Sequence, residues 1–500
     1  MSNSTASLPG APSPPVFQDS LGHPRPLWML FMTEFWERFA FYGMRWALTL
    51  YIVSQFFGGD STGEAFANQT YGAYLALVYA AGAFGGYIAD RLIGHQRSIL
   101  IGAIVMGAGL FVMMVPNQQV FLLGLSLVII GNGLFKPNIS TLVGELYPQG
   151  DPRRDAGFTI FYMGINAGSF FSPILTGWLA SVITDTPMVQ NYKIVFATAG
   201  IGMVLSYFWF WFGRRQLQGI GSAPVGASGG RSLGLLAVYF VVGIPLMFFL
   251  LSSTILAWIL FALFVGLAAM LLVEGMREGK VARDKVIAML IIFVFNVMFW
   301  MFFEQAGSSF NFLAEKIVNR DFGGWEFPVA WFQSVNPLAI ISLAPLVAMI
   351  WIWMGRRNSE PSIPRKFGLG LIGNGLAFLL LMYALTHLVD ADQKIPFWTL
   401  FMVYVVQSVA ELCLSPIGLS MVTKLAPPKY VAFAMGGWFL SVANGNNLSG
   451  EFAKWVSGTD GISTTSALLG YTWGFWSLMG AGVLLFLIAP LVNKLMHGVR

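Results

Sequence analysis

Four ionisable residues share one otherwise apolar stretch: Glu34, Glu37, Arg38 and Arg45, within Glu34-Phe35-Trp36-Glu37-Arg38-Phe39-Ala40-Phe41-Tyr42-Gly43-Met44-Arg45. On a helix, at about 100° per residue, their positions fall within roughly 100° of one another. One face therefore carries two carboxylates at one end and a guanidinium about 16 Å further along. Lys136, Glu304 and Glu411 sit inside other apolar runs. The cations suit an anionic ligand group, and the carboxylates suit an ammonium or a proton. Four carboxylates against three cations leave one carboxylate without a permanent counter-ion, and such a group in a low-dielectric cavity is a natural proton carrier. Together these groups point to a zwitterionic ligand that enters with a proton. The competing reading is a set of structural ion pairs between helices, although apolar residues readily replace buried pairs.

The surroundings explain why these charges matter. Of 500 residues, 56% are hydrophobic and 10% charged, with a mean hydropathy of +0.69. Soluble domains are roughly 45–50% apolar and about 25% charged. Too few charges exist to solvate an ordinary surface, so the outside of the protein must face lipid. That excludes a cytosolic enzyme, a secreted domain and a nucleic-acid binder. Each ionisable group at mid-bilayer costs roughly 2.5–3.5 kcal/mol, so the seven, unpaired, would cost on the order of 15–25 kcal/mol. They must pair around an aqueous cavity. Cys413 is alone, so neither an intrachain disulfide nor a Cys-based metal site is expected. The four histidines show no metal-binding spacing, and no catalytic residue, metal or organic cofactor is expected; the proton is the coupling ion.

Apolar runs long enough to cross a bilayer, about 20 residues, recur near 27–57, 69–93, 98–115, 119–146, 155–184, 190–213, 233–251, 254–275, 284–316, 328–355, 367–389, 396–425, 430–456 and 466–493. The expectation is an all-α integral membrane protein with fourteen transmembrane helices. Residues 1–26, rich in Ser, Pro and Gly, read as a disordered cytoplasmic tail. Residues 27–213 form a first six-helix bundle, 214–283 a linker with two extra helices, and 284–500 a second six-helix bundle. With the N-terminus in the cytoplasm, twenty Lys/Arg fall on that side and five on the other. This positive-inside bias puts both termini in the cytoplasm and accounts for the net charge of +5 without a polyanionic partner.

An internal repeat supports the division. Phe35-Trp36-x-x-Phe39-x-x-x-Gly43 recurs 264 residues later as Phe299-Trp300-x-x-Phe303-x-x-x-Gly307, and Pro137 and Pro148 recur as Pro416 and Pro427. Parallel six-helix repeats are the plan of major-facilitator transporters, with substrate bound near midplane between the halves.

Four segments together resemble the proton-coupled oligopeptide transporters. Glu34-x-x-Glu37-Arg38-Phe39-x-Phe41-Tyr42-Gly43 is similar to that family's E-x-x-E-R-F-x-Y-Y-G motif, with Phe41 in place of its first tyrosine. Phe161-Tyr162-Met163-Gly164-Ile165-Asn166-Ala167-Gly168-Ser169 resembles its F-Y-x-x-I-N-x-G-S signature. Gly131-Asn132-Gly133-Leu134-Phe135-Lys136-Pro137-Asn138 and Glu411-x-x-x-Ser415-Pro416-x-Gly418 fit the same family, and the two-helix insert is similar to that of bacterial members.

The resemblance implies a proton-coupled symporter of di- and tripeptides in the bacterial cytoplasmic (inner) membrane, not an enzyme, with a monomer as functional unit. By that resemblance Arg45 and Lys136 receive the peptide carboxylate and Glu411 the ammonium end. Asn166 and Asn336 face the peptide backbone, Ser415 belongs to the same substrate site, and Tyr42, Tyr79, Trp300 and Trp438 line side-chain pockets. Glu304 pairs with Arg45 across the halves, while Glu34, Glu37 and Arg38, near Lys136, form a second proton-coupling group. The alternatives are a proton-coupled carrier of another small zwitterion or anion, and a drug/proton antiporter of the same fold.

Overall fold

The computed structural model describes residues 15, 17–148, 150–184, 190–224 and 229–499. The first half contains α1 (Pro26–Phe56), α2 (Glu64–Ile88), α3 (His95–Val112), α4 (Gln118–Glu145), α5 (Arg154–Val182) and α6 (Tyr192–Gly213). Two further helices follow, α7 (Gly229–Leu251) and α8 (Ile255–Glu278). The second half contains α9 (Lys280–Phe303), α10 (Ser309–Lys316), α11 (Val335–Arg356), α12 (Ile363–His387), α13 (Phe397–Leu412), α14 (Ser415–Leu425), α15 (Val431–Ser457) and α16 (Thr464–Leu495). Among the described residues these sixteen helices make fourteen crossings, because α9 with α10 and α13 with α14 are each one crossing broken midway.

Twelve crossings are long and apolar enough to span a membrane by composition alone. The other two are α1, with its four ionisable groups, and α15, with Asn444-Gly445-Asn446-Asn447 at its centre. Both are interior helices and bury most of their residues. At the other extreme, only 17% of the most apolar window of α7 or of α8 is buried, and only 11% of that of the crossing that contains α11. The two helices too polar to span by composition are thus interior, whereas α7, α8 and α11 face mostly outward.

Small residues permit the closest crossings, as expected where helices associate by packing rather than by escape from water. A side chain on Gly85 would meet the Gly133 carbonyl oxygen of α4 at 1.9 Å, and one on Gly131 would meet the Gly102 carbonyl oxygen of α3 at 2.8 Å. Across the halves, a side chain on Gly72 of α2 would lie 2.7 Å from the Gly450 Cα of α15.

The expected tail departs from the structure at its end. Residues 1–14 and 16 lie outside the described residues, but Asp19–Ser20 and His23–Pro24 form a small antiparallel hairpin. Arg153 binds Asp19 at 2.9 Å, His23 bonds the Tyr147 hydroxyl at 2.8 Å, and the Trp28 indole donates to the Ser20 carbonyl. A polar composition concealed this because the hairpin is held by side chains far along the chain.

Bonds between the halves gather at the end opposite the basic loops. Asn68 donates to Ser457 at 3.1 Å, Gln69 to Glu451 at 3.0 Å, and Ser334 to the Phe170 carbonyl at 2.8 Å. Lys316 pairs with buried Glu64, whose other oxygen accepts the Ile462 backbone N–H at 2.8 Å. Toward the basic end, Phe84, Tyr87, Tyr162 and Met163 of the first half and Leu419 of the second are exposed. The molecule is closed at the far end and open at the basic end.

This closure generates a test. After Cys413→Ser removes the sole thiol, the pair Asn68→Cys/Ser457→Cys should cross-link efficiently with a short reagent. Adding Gly72→Leu, which wedges α2 from α15, should cut the yield severalfold in protein that remains folded and monodisperse. An unchanged yield would contradict the closed far end.

Candidate functional site

The first cluster joins the two halves. Arg45, on α1, donates its Nε to the Tyr71 hydroxyl at 2.5 Å and its Nη2 to Glu304. The Tyr71 hydroxyl also lies 3.5 Å from the same Glu304 oxygen. Glu304 opens a tight 3-10 turn, Glu304–Gly307, that separates α9 from α10. Breaking a helix at this depth frees backbone carbonyls that lipid could not satisfy, so protein must do so. Tyr404 reaches the Ala306 carbonyl at 3.1 Å, Asn311 reaches that of Gly307 at 3.1 Å, and Gln305 bonds the Met301 carbonyl at 3.0 Å. The break that positions Glu304 is therefore fully built.

The second cluster lies nearer the basic end of α1. Arg38 is bracketed by Glu37, which takes its Nε and, at 2.5 Å, its Nη2, and by Glu34 at 3.3 Å. All three are at most 3% exposed. Asn132 of α4 donates to Glu37 at 2.9 Å, whereas the second oxygen of Glu34 has no hydrogen-bond partner among the described residues. The two acids differ in consequence: Glu37 is anchored by three bonds and Glu34 by one long contact. Lys136, one helical turn beyond Asn132, makes no ion pair among the described residues; its ammonium lies over the Tyr79 ring, 4.6 Å from the centroid. It still interacts electrostatically with Arg38, Glu37, Glu34 and Glu304.

On the opposing half, Glu411 ends α13 just before the second helix break, and Asn336 of α11 donates to it at 3.1 Å and to Ser408 at 2.9 Å. The Ser415 hydroxyl, in the first turn of α14, has no hydrogen-bond partner among the described residues. Tyr42, Tyr79, Lys136, Trp300, Asn336, Glu411 and Ser415 are all half-buried, although each lies well inside its crossing. Glu411 feels both Glu304 and Arg45, and Tyr42 feels Arg45, Arg38, Glu304 and Glu411. Cations thus lie on the first half and Glu411 on the second, within electrostatic reach of one another.

Three expected contacts look different in this conformation. Trp438 is 4% exposed, held between Phe293 and Phe367 with its ring against Gly418. Asn166 spends its amide on the Tyr162 carbonyl of its own helix at 2.9 Å. The Trp300 indole donates to Asn296, itself bonded to Ser441. Each stabilises its own half, a role that position in a motif does not reveal. Conversely, Tyr71 and Asn132 were missed. Asn132 carried a signal, four residues before Lys136 on the same helix face, but Tyr71 carried none. Gly131 and Gly133 serve packing, as their close backbone neighbours show.

Similarity to known proteins agrees with this fold. A sequence model of the POT family matches residues 96–468. The chain is 34% identical to the uncharacterized transporter YclF of Bacillus subtilis, over 96% of each chain. It is 32% identical to dipeptide and tripeptide permease B of Photorhabdus luminescens, covering 97% of this chain and 99% of that one. A crystal structure of the peptide transporter POT with sulfate matches at a TM-score of 0.83 and 33% identity, covering 96% of this chain and 97% of that one. A variant of that transporter in complex with alafosfalin matches equally well, with the same TM-score, identity and coverage.

The unequal anchoring of the two acids predicts unequal costs. Glu37→Ala leaves Arg38 without its bidentate partner and should lower stability by about 3–5 kcal/mol, the usual penalty for half of a buried pair. Glu34→Ala should cost clearly less. Thermal unfolding of the detergent-solubilised variants checks this, and equal losses would contradict the geometry.

Proposed function

The chain belongs to the POT family, and from that premise we propose that it imports di- and tripeptides together with protons by alternating access. The observation that carries this reading is the paired chemistry of the cleft: Arg45 and Lys136 on one half, Glu411 on the other, and a cross-half ion pair through Glu304. A peptide presents a carboxylate and an ammonium whatever its side chains. Such a site fixes the two termini and leaves the half-buried rings of Tyr42, Tyr79 and Trp300 to meet varied side chains. Dipeptide and tripeptide permeases among the relatives and a peptide transporter solved with alafosfalin support the same substrate class.

Arg45 cannot hold Glu304, Tyr71 and a peptide carboxylate equally well. Protonating Glu304 removes its claim on the guanidinium, which is then free to grip a carboxylate with two parallel bonds. Proton and peptide thereby become coupled through one side chain. Glu34, with its bare oxygen beside Arg38, is the second proton site, and Glu37 positions Arg38 between them. The basic end faces the cytoplasm with both termini, in the bacterial inner membrane, and the structure is then the inward-open state. A second reading, carriage of another small zwitterion through the same cleft, is favoured by a 30% identical POT family transporter solved with 5-aminolevulinic acid.

Reconstituted protein should exchange labelled dialanine for unlabelled dialanine without a pH gradient, and accumulate it only with an inward proton gradient. Absence of both would overturn the reading. Arg45→Lys, which loses the fork geometry, should weaken dialanine binding roughly ten- to a hundredfold, in line with ~1.5–3 kcal/mol for a charge-assisted bond. Amidating the peptide carboxylate should weaken wild-type binding comparably; full affinity for the amide would remove Arg45 from this role.

A further inference from the structure

The two helices between the halves are not a passive appendage. α7 lies against α2 and α4 of the first half, while α8 lies against α9 and α15 of the second. On α7, the Tyr239 hydroxyl donates to the Ile130 carbonyl at 3.2 Å, and a side chain on Gly243 would meet the Ile130 side chain at 2.8 Å. On α8, the Leu260 carbonyl accepts the Asn444 amide of α15 at 3.2 Å, and Glu274 accepts the Tyr430 hydroxyl at 2.9 Å. The hairpin thus straddles the seam along which α2 and α15 meet, one leg fastened to each half.

Its connection is short. Only Ser252, Ser253 and Thr254 separate α7 from α8, at the far end of the molecule, where the halves are closed. The leg residues beside this turn, including Leu251, Leu256 and Leu260, are buried, although most of the hairpin faces outward. Four Cα steps reach at most roughly 15 Å, and packed helices already stand about 8–10 Å apart. The leg ends can therefore part by only about 5 Å before helix must unravel. At the basic end, by contrast, no short link joins the legs, so the hairpin opens there like a V.

We propose that this hairpin is a tether across the two halves: its three-residue turn restrains separation of the far end and so biases the carrier toward the state open at the basic end. A ligand or mutation shifts a two-state equilibrium only through what differs between the states. Here the difference is tension in the turn, present when the far end parts and absent when it closes.

The test cuts the turn after folding. A protease site flanked by Gly and Ser is inserted between Ser253 and Thr254 in a Cys413→Ser chain carrying spin labels at Gln119→Cys and Ala391→Cys, exposed positions at the far end of each half. Relative to the labelled chain with the native three-residue turn, the cleaved reconstituted protein should show a severalfold larger long-distance population between the labels and severalfold faster dialanine exchange. A second chain, with nine Gly/Ser residues inserted and no cleavage, should shift both in the same direction. Unchanged distances in both chains, with the protein folded, would overturn the tether. The exchange readout rests on the proposed peptide transport but the distance readout does not, so loss of exchange with lengthened distances would fault that function and spare the tether.

Discussion

The ion pair between Arg45 and Glu304 is the interaction on which the rest of the structure depends. It sits between two six-helix halves, inside a protein whose outer surface is hydrocarbon, where neither charge tolerates being alone. Pairing alone does not suffice, because desolvating two ions costs about as much as their attraction returns unless further hydrogen bonds complete the site. Tyr71 supplies one, from a third helix. The helix break at Glu304 supplies the geometry, and its freed carbonyls oblige Tyr404, Asn311 and Gln333 to converge on it. One ion pair thus accounts for a discontinuous helix, a polar layer around it and the joining of the halves. It also makes that joining sensitive to protonation, because neutralising Glu304 removes the attraction while leaving the packing.

The same constraint places the two most polar helices inside. α1 carries more charge than a membrane span normally tolerates, and α15 is centred on asparagines and glycines, so both must be interior. Their polarity is matched by the apolar faces of the outer helices, α7 and α8 above all. The remaining ionisable site groups, Lys136, Glu304 and Glu411, lie on crossings that composition alone marks as ordinary apolar spans.

Much of this was legible in the sequence. The count of fourteen crossings and the six-two-six layout followed from apolar runs and the repeat, and the Arg45–Glu304 pairing was expected. The family resemblance implied that pairing; the charges themselves showed only that an ion in a membrane span must find a partner. Tyr71 and Asn132 were not legible for the opposite reason: a hydroxyl or an amide is affordable at many depths and carries no spacing that marks its partner. The helix break at Glu304 lies inside a run that reads as continuous, with no proline in α9, whereas the break after Leu412 carried a signal in Pro416, in the first turn of α14. Trp438 shows the limit of motif reasoning, for its ring is buried against Gly418 in this conformation. The hairpin at residues 19–24 was hidden because its partners, Tyr147 and Arg153, are more than a hundred residues away.

The central claim is that protonation of Glu304 hands Arg45 from a protein carboxylate to a peptide carboxylate. It is tested most directly by peptide affinity measured across roughly pH 5 to 8 in wild type and in Glu304→Gln, whose neutral amide mimics the protonated acid. In wild type, affinity should fall as pH rises, because the ionised carboxylate competes for the guanidinium. In Glu304→Gln, affinity should persist, lose most of that dependence, and be accompanied by failure to accumulate peptide against a gradient. A variant that keeps both the wild-type pH dependence and full concentrative uptake would contradict the account and leave Glu304 as a structural partner of Arg45 alone.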